Sequence, residues 1–153
     1  MVATTGFTGI GAALKIGDGA SPETFTPIGN TVNFGLDQTA DQVDATHLGS
    51  TSGYRERKQG FKDATVNFEI HFDPDHATHN DTTGLMAAFE DGTSHNFKAD
   101  FSAADNGGAG APATDPVCSF AGVVTGLSIS VSEGMVTGSG TISMASAPTW
   151  GAS

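Results

Sequence analysis

Six residues able to bind a metal or move a proton lie within eleven positions: His71, Asp73, Asp75, His76, His79 and Asp81. Zinc asks for imidazole nitrogens and carboxylates that converge as a tetrahedron, which makes His71, Asp73, His76 and His79 the weak candidates for a metal site. The same segment holds Pro74 and Asn80, and it joins an alternating strand pattern to a short helical one. Asp, Asn and Pro are the usual residues of such a connection, where they make turns and caps. A calcium loop is a poorer match still, since the Gly and distal Glu of an EF-hand are missing. The turn-and-cap reading is preferred, so neither a metal nor a cofactor is expected.

The other chemical patterns lead nowhere either. No Gly-x-Ser-x-Gly elbow is present. Gly6, Gly9 and Gly11, like Gly107, Gly108 and Gly110, are not followed by the Gly-Lys-Ser/Thr of a phosphate loop. Asp41 and Asp44 would share a face only on a helix, and their segment has strand or loop character. The single cysteine, Cys118, sits beside Val117 and near Phe120, the setting of a small buried hydrophobe rather than a nucleophile. It excludes an internal disulfide and with it a disulfide-stapled scaffold. The chain is not expected to be an enzyme.

The one basic cluster is Arg55, Arg57, Lys58 and Lys62, with Tyr54 and Glu56 among them. It stands in a chain of 153 residues with 6 basic and 17 acidic side chains, a formal charge of −11. A nucleic-acid binder needs a basic face that displaces counterions from phosphate, and a peripheral protein needs one for anionic lipid. Neither is available. In so acidic a protein, a local basic patch suits an acidic patch on an identical copy, with Asp37, Asp41, Asp44 and Asp100 as acidic partners. No signal peptide is visible in the first residues, and no run approaches the ~20 apolar residues of a membrane helix. Synthesis in the cytoplasm and no membrane partner are expected.

These residues must be positioned by strands. Gly, Ala, Ser and Thr make up 73 of the 153 residues, charged residues only 15%, and ten Phe supply core material. Such a composition suits strands and turns. Residues 65–72 alternate strictly, with Val66, Phe68, Ile70 and Phe72 on one side and Thr65, Asn67, Glu69 and His71 on the other. Residues 96–101 repeat the pattern. Residues 117–131 form a long β-prone run, bent or bulged at Gly122 or Gly126, which returns through a turn at 132–134 into residues 135–145. Further strands are predicted at 12–16, 24–28, 31–36 and 40–47, with Pro27 confined to an edge because proline cannot donate to a central ladder. One helix is predicted at about 82–91, capped by Asp81 or Thr82, striped by Leu85, Met86 and Phe89 and ended by Gly92. The expected fold is mainly β, an antiparallel sandwich or barrel with one short flanking helix, in a single domain spanning 1–153. An N-terminal arm at about 1–10, a long loop or hairpin at about 37–63 and an irregular loop at about 102–116 are set apart for contacts between subunits.

Several pieces, in order, resemble the major tail tube proteins of long-tailed, non-contractile bacteriophages and of phage-derived gene transfer agents. They begin with Asp44, Thr46 and His47, then Tyr54, Arg55 and Glu56, then Gly60, Phe61, Lys62 and Asp63. The alternating strand ending at Asp73 and Pro74 follows, with the helix carrying Leu85 and Phe89 and the strand from Phe97 to Phe101. Phe120, Val124, the run Gly140 to Met144, Pro148 and Trp150 complete the likeness, which covers about residues 10–150. The resemblance implies a virion tail protein whose hexameric rings stack into a tube that conducts DNA as non-specific cargo. It also implies tape measure, tail terminator and distal tail proteins as partners. By position in that pattern, Asp44, Thr46, Tyr54, Arg55, Arg57 and Lys58 are the residues expected to touch the next ring. The alternatives are a tube protein of a contractile tail or type VI secretion device, and a carbohydrate-binding β-sandwich. The last is disfavoured by a single Trp and a single Tyr.

Overall fold

Among the described residues eight strands and one helix follow one another: β1 (Ala13–Gly17), β2 (Phe25–Pro27), β3 (Thr31–Asp44), β4 (Arg57–His71), α1 (Leu85–Asp91), β5 (His95–Asp100), β6 (Val117–Val131), β7 (Val136–Met144) and β8 (Thr149–Gly151). The computed structural model describes residues 12–47, 49, 53–101 and 117–151. The expected N-terminal arm at 1–10 and loop at 102–116 lie outside the described residues.

All the pairings are antiparallel, and they give one sheet in the order β2-β1-β5-β6-β7-β4-β3, with β8 joining β6 beyond the point where β7 leaves it. The mainly β expectation holds, as a single curled sheet rather than two facing ones. Its ends approach each other, β1 packing against β3, so one face encloses a core. β2, with Pro27, is indeed an edge strand.

The enclosed face is built by the alternation visible in the sequence. Leu14 and Ile16 come from β1, Val66, Phe68 and Ile70 from β4, Phe97 and Ala99 from β5, Cys118, Phe120 and Val124 from β6, and Ile142 from β7. Each fully buried Phe, Leu or Ile of this set contributes about 1.5–3 kcal/mol relative to exposure. Phe97 stacks on Phe120 with ring centroids 5.7 Å apart. Burial raises the Cys118 thiol above its ordinary pKa, which keeps it protonated and unreactive. Gly140 makes room for the largest of these residues. It lies opposite Phe68, and a Cβ there would stand 2.5 Å from the Phe68 ring and 2.8 Å from the Gly126 carbonyl oxygen.

Helix α1 is shorter than the predicted 82–91. Its start is prepared by Asn80, whose Oδ1 accepts the N–H groups of Thr82, Thr83 and Gly84 at 3.2, 2.9 and 3.2 Å. Asp81 and Thr82 are therefore not caps. Asn80 Oδ1 takes the donors of the turn, and the helix begins at Leu85 behind Gly84. Its first N–H groups, of Leu85, Met86 and Ala87, donate to the backbone carbonyl oxygens of Thr78, His79 and Asn80. Gly92 ends it in the left-handed conformation at φ 65°, as expected of glycine there. In so short a helix the buried stripe is Leu85 and Ala88, while Phe89 faces solvent.

Two strand boundaries also differ. The strands predicted at 31–36 and 40–47 are one strand, β3, and β4 begins at Arg57 rather than Thr65. Together they form one long hairpin. The predicted bulge at Gly126 is present, as a register shift between Val124 and Gly126.

Candidate functional site

Two surfaces of this sheet are left uncovered by the core. The first is the outer half of the β3–β4 hairpin. Strand β7 accompanies β4 only as far as Thr65, which pairs with Ser143, while β3 and β4 stay paired to Asp44 and Arg57. Residues 57–64 thus carry the ribbon on for about 25 Å at ~3.3 Å per residue. Along this arm every residue of β3 from Gln38 and of β4 to Asp63 is exposed except the partly buried Ala40 and Gly60. A two-stranded ribbon with both faces wet is at best marginally stable by itself.

A bulge in the arm sets Gly60 and Phe61 together against Asp41, since Ala40 pairs with Lys62 and Gln42 with Gln59. Bulges re-aim side chains, and here Phe61 ends 89% exposed, with Val43 half-exposed beside Gly60.

The arm's tip brings together all six residues expected at the ring-to-ring contact: Asp44, Thr46, Tyr54, Arg55, Arg57 and Lys58. Asp44 Oδ1 accepts the Thr46 N–H at 2.9 Å, Thr46 Oγ1 accepts the Glu56 N–H at 2.9 Å, and Arg55 Nη1 lies 3.4 Å from Asp44 Oδ2. The Thr46 hydroxyl, then its N–H, hold the Asp44 carboxyl below its ordinary pKa. The exposed Arg55–Asp44 pair adds little stability. It orders the tip.

Charge is divided unevenly between arm and body. Residues 37–64 hold four basic and five acidic side chains, the remainder two basic and twelve acidic. Of those two, Lys15 is bound to Asp100 at 2.7 Å and Lys98 sits 4.2 Å over the Phe25 ring. Of the acidic partners expected for the basic cluster, Asp100 is buried against Lys15, Asp37 accepts Asn67 Nδ2 at 2.9 Å, and Asp44 serves Arg55 in its own chain.

The second surface is the outer face of β3, β4, β7 and β6, opposite the core. The registers align Asn33, Glu69, Ser139 and Ser128 in one row, and Gly35, Asn67, Thr141 and Gly126 in the next. These rows line a shallow groove that also takes in Asp37, and none of these residues is Lys or Arg. Their short side chains are tied to one another. Thr141 donates to Asn67 Oδ1 at 3.0 Å, Asn67 to Asp37, and Asn33 Nδ2 to Glu69 Oε2 at 2.8 Å.

The segment weighed as a metal site does something else. His79 is fully buried, with Nε2 donating to the Gly29 carbonyl oxygen at 2.6 Å and Nδ1 accepting the Asp73 N–H at 3.1 Å. Both ring nitrogens are thereby used. His76 Nδ1 meets Thr78 Oγ1 at 2.8 Å, and that hydroxyl oxygen accepts the Gly29 N–H at 3.0 Å. His71 is exposed at the end of β4. Among the described residues, no group of three or more His, Cys, Asp or Glu is arranged to hold a metal ion. The two histidines fasten the 73–84 connection to the turn before β3.

The sequence sets 37–63 apart as a long loop or hairpin; what it does not reveal is that 57–64 is paired strand and that Phe61 stands exposed on it. The available signal was an aromatic inside a strongly hydrophilic stretch. No helix among the described residues is long and apolar enough to cross a membrane.

No family model matches the chain, and no curated protein matches it. Among solved structures it is similar to a chain in the tail of an empty gene transfer agent particle, refined with helical C6 symmetry. The TM-score is 0.75 at 20% identity, over 95% of this chain and 98% of that one. A chain in the virion of a native gene transfer agent particle gives a TM-score of 0.71 at 20% identity over the same shares. The curled sheet, its helix and its order of strands are a fold that such particles contain.

Proposed function

We propose that this chain is a structural, non-enzymatic subunit of a phage-like virion tail, made in the bacterial cytoplasm and assembling with copies of itself. The observation that carries this reading is the arm. A ribbon some 25 Å long, solvated on both faces and bearing an 89%-exposed Phe, is a contact element awaiting a partner. The likeness in fold to a chain of a C6-symmetric tail supports copies of this chain as that partner, in hexameric rings that stack into a tube. Tape measure, tail terminator and distal tail proteins are the further partners this reading implies.

The polar face of β3, β4, β7 and β6 suits the wall of such a tube. Lys or Arg contacts that displace counterions would hold a duplex in place, and this groove presents Ser, Thr, Asn and Gly with Asp37 and Glu69. An acidic wall of short, mutually bonded side chains repels DNA and gives it nothing to catch on. DNA is then cargo rather than ligand.

Negative-stain electron microscopy of the purified protein, at rising concentration, tests the proposal. Rings or tubes of uniform bore are expected, and a strict monomer at every concentration would overturn it. Reversal of Arg55 and Arg57 to Glu is expected to abolish the assemblies without unfolding the chain.

A further inference from the structure

Of the nine large hydrophobic side chains that are exposed among the described residues, all but Phe89 and Trp150 fall into two groups. Val43, Tyr54 and Phe61 belong to the arm, and Val32, Ile129, Val131 and Met135 belong to the other end of the same sheet. The registers establish that these are opposite ends. Along β4, Arg57 pairs at the arm's tip with Asp44, and His71 pairs with Thr137 beside the turn that joins β6 to β7.

At that far end a buried stripe runs out into solvent. Leu127 lies across from Gly140 and Phe68, and Ile129 across from Gly138 and Ile70, so both project from the core's face. Leu127 is partly buried against the core, Ile129 is 40% exposed, and Val131 is 80% exposed. The alternation continues unbroken, with Ser128 and Ser130 on the opposite face. The strand thus keeps an apolar face past the point where its own chain covers it. Met135 stands half-exposed in the turn that follows, where Ser132 Oγ donates to the Met135 carbonyl oxygen at 3.0 Å.

Charges set the orientation. Exposed Glu133 lies in this turn. The Phe72 N–H donates to the Val136 carbonyl oxygen at 2.9 Å, which places exposed Asp73 beside it. The arm holds four of the six basic residues of the chain. At one end of the sheet Phe61 shares β4 with Arg57, Lys58 and Lys62, although Asp41 lies opposite it and Asp63 two positions on. At the other end the aliphatic strip has only carboxylates, Glu133 and Asp73, beside it, and cations meeting those carboxylates are complementary.

We propose that Phe61 of one copy seats on the Ile129–Val131–Met135 strip of another, with Arg57, Lys58 or Lys62 facing Glu133 and Asp73. Because the two halves lie at opposite ends of one subunit, the contact is heterologous and leaves a free donor at one end and a free acceptor at the other. Such contacts propagate along an axis instead of closing as a pair. The inference rests on the self-assembly proposed above and names the two surfaces that stack.

Thiol cross-linking between Phe61→Cys and Val131→Cys chains, mixed and assembled, tests it, since native Cys118 is buried and both substituted positions are exposed. A 61-to-131 bond between the two chain types is expected, formed in assemblies and absent from dilute monomer. Assemblies that form without this bond, or that link 61 to 61, overturn this pairing and leave the proposed function standing. Failure of the unsubstituted protein to assemble overturns both. As a second readout, Phe61→Ser and Val131→Ser are each expected to raise the concentration needed for assembly about tenfold to a hundredfold with unchanged monomer melting. Unchanged assembly in either variant also overturns the pairing.

Discussion

The β3–β4 hairpin is one continuous ladder with two physical regimes. In its inner half, Val66, Phe68 and Ile70 are buried and β7 pairs along the free edge of β4. In its outer half the same backbone bonds continue, yet neither face is covered and the second edge of β4 is open. The inner half is held by the core. The outer half is held by little beyond its ladder, so its order is set by what it touches in another molecule. One strand can serve the fold at one end and assembly at the other, and mutations should separate the two.

The largest effect on stability belongs to the inner half. Phe68→Ala is expected to cost about 3–5 kcal/mol, seen as a large drop in denaturant midpoint and loss of assembly through unfolding. Next is Gly140→Val, which forces a branched side chain against the Phe68 ring and the Gly126 carbonyl oxygen. Overpacking of about 1–3 kcal/mol is expected by the same measurement.

His79 gives a pH signature confined to the body. Burial, with the nearby charge of His76 adding to it, lowers its pKa despite the opposing bonds to Gly29 and Asp73. The unfolded chain therefore takes up a proton that the folded one refuses. Its contribution is complete above about pH 6.5 and is lost as pH falls through the lowered folded value. Melting temperature should fall between about pH 7.5 and about pH 5, and His79→Gln should flatten that fall while lowering stability at the higher pH. The smallest effect on stability is expected in the outer half, where Phe61→Ser should stay within about 0.5 kcal/mol while assembly suffers. A Phe61→Ser chain that melts far below the parent would place Phe61 in the fold rather than at a contact.

The sequence makes the inner half legible in detail and the outer half only as a loop or hairpin at about 37–63, for a physical reason. Alternation at Val66 to Phe72 reports a strand with one buried face, and the glycines at 92 and 126 report a helix end and a bulge. Apart from Gly60, Phe61 and Ala64, the residues at 57–64 are polar or charged on both faces, so no period of two marks them, although their backbone pairs with β3. The polar run at 37–39 looked like a break for the same reason. Asp81 and Thr82 have the residue types of caps, but the turn at 80–84 gives the first helical N–H groups to backbone carbonyls instead. The six residues expected at the subunit contact do meet at one tip. Phe61 escaped notice as a contact because nothing in a linear pattern reveals that a bulge turns a side chain outward. The polar face became visible only when the registers aligned its rows.

Hydrogen exchange along the hairpin tests most directly whether the arm is an assembly element. Amides of residues 38–44 and 57–64 are expected to exchange fast in dilute monomer and to gain at least about a hundredfold protection in assembled protein. Those of residues 66–70 should be protected in both. Equal protection of the arm in monomer and assembly would mean that the chain stabilises it alone, and the account would be wrong.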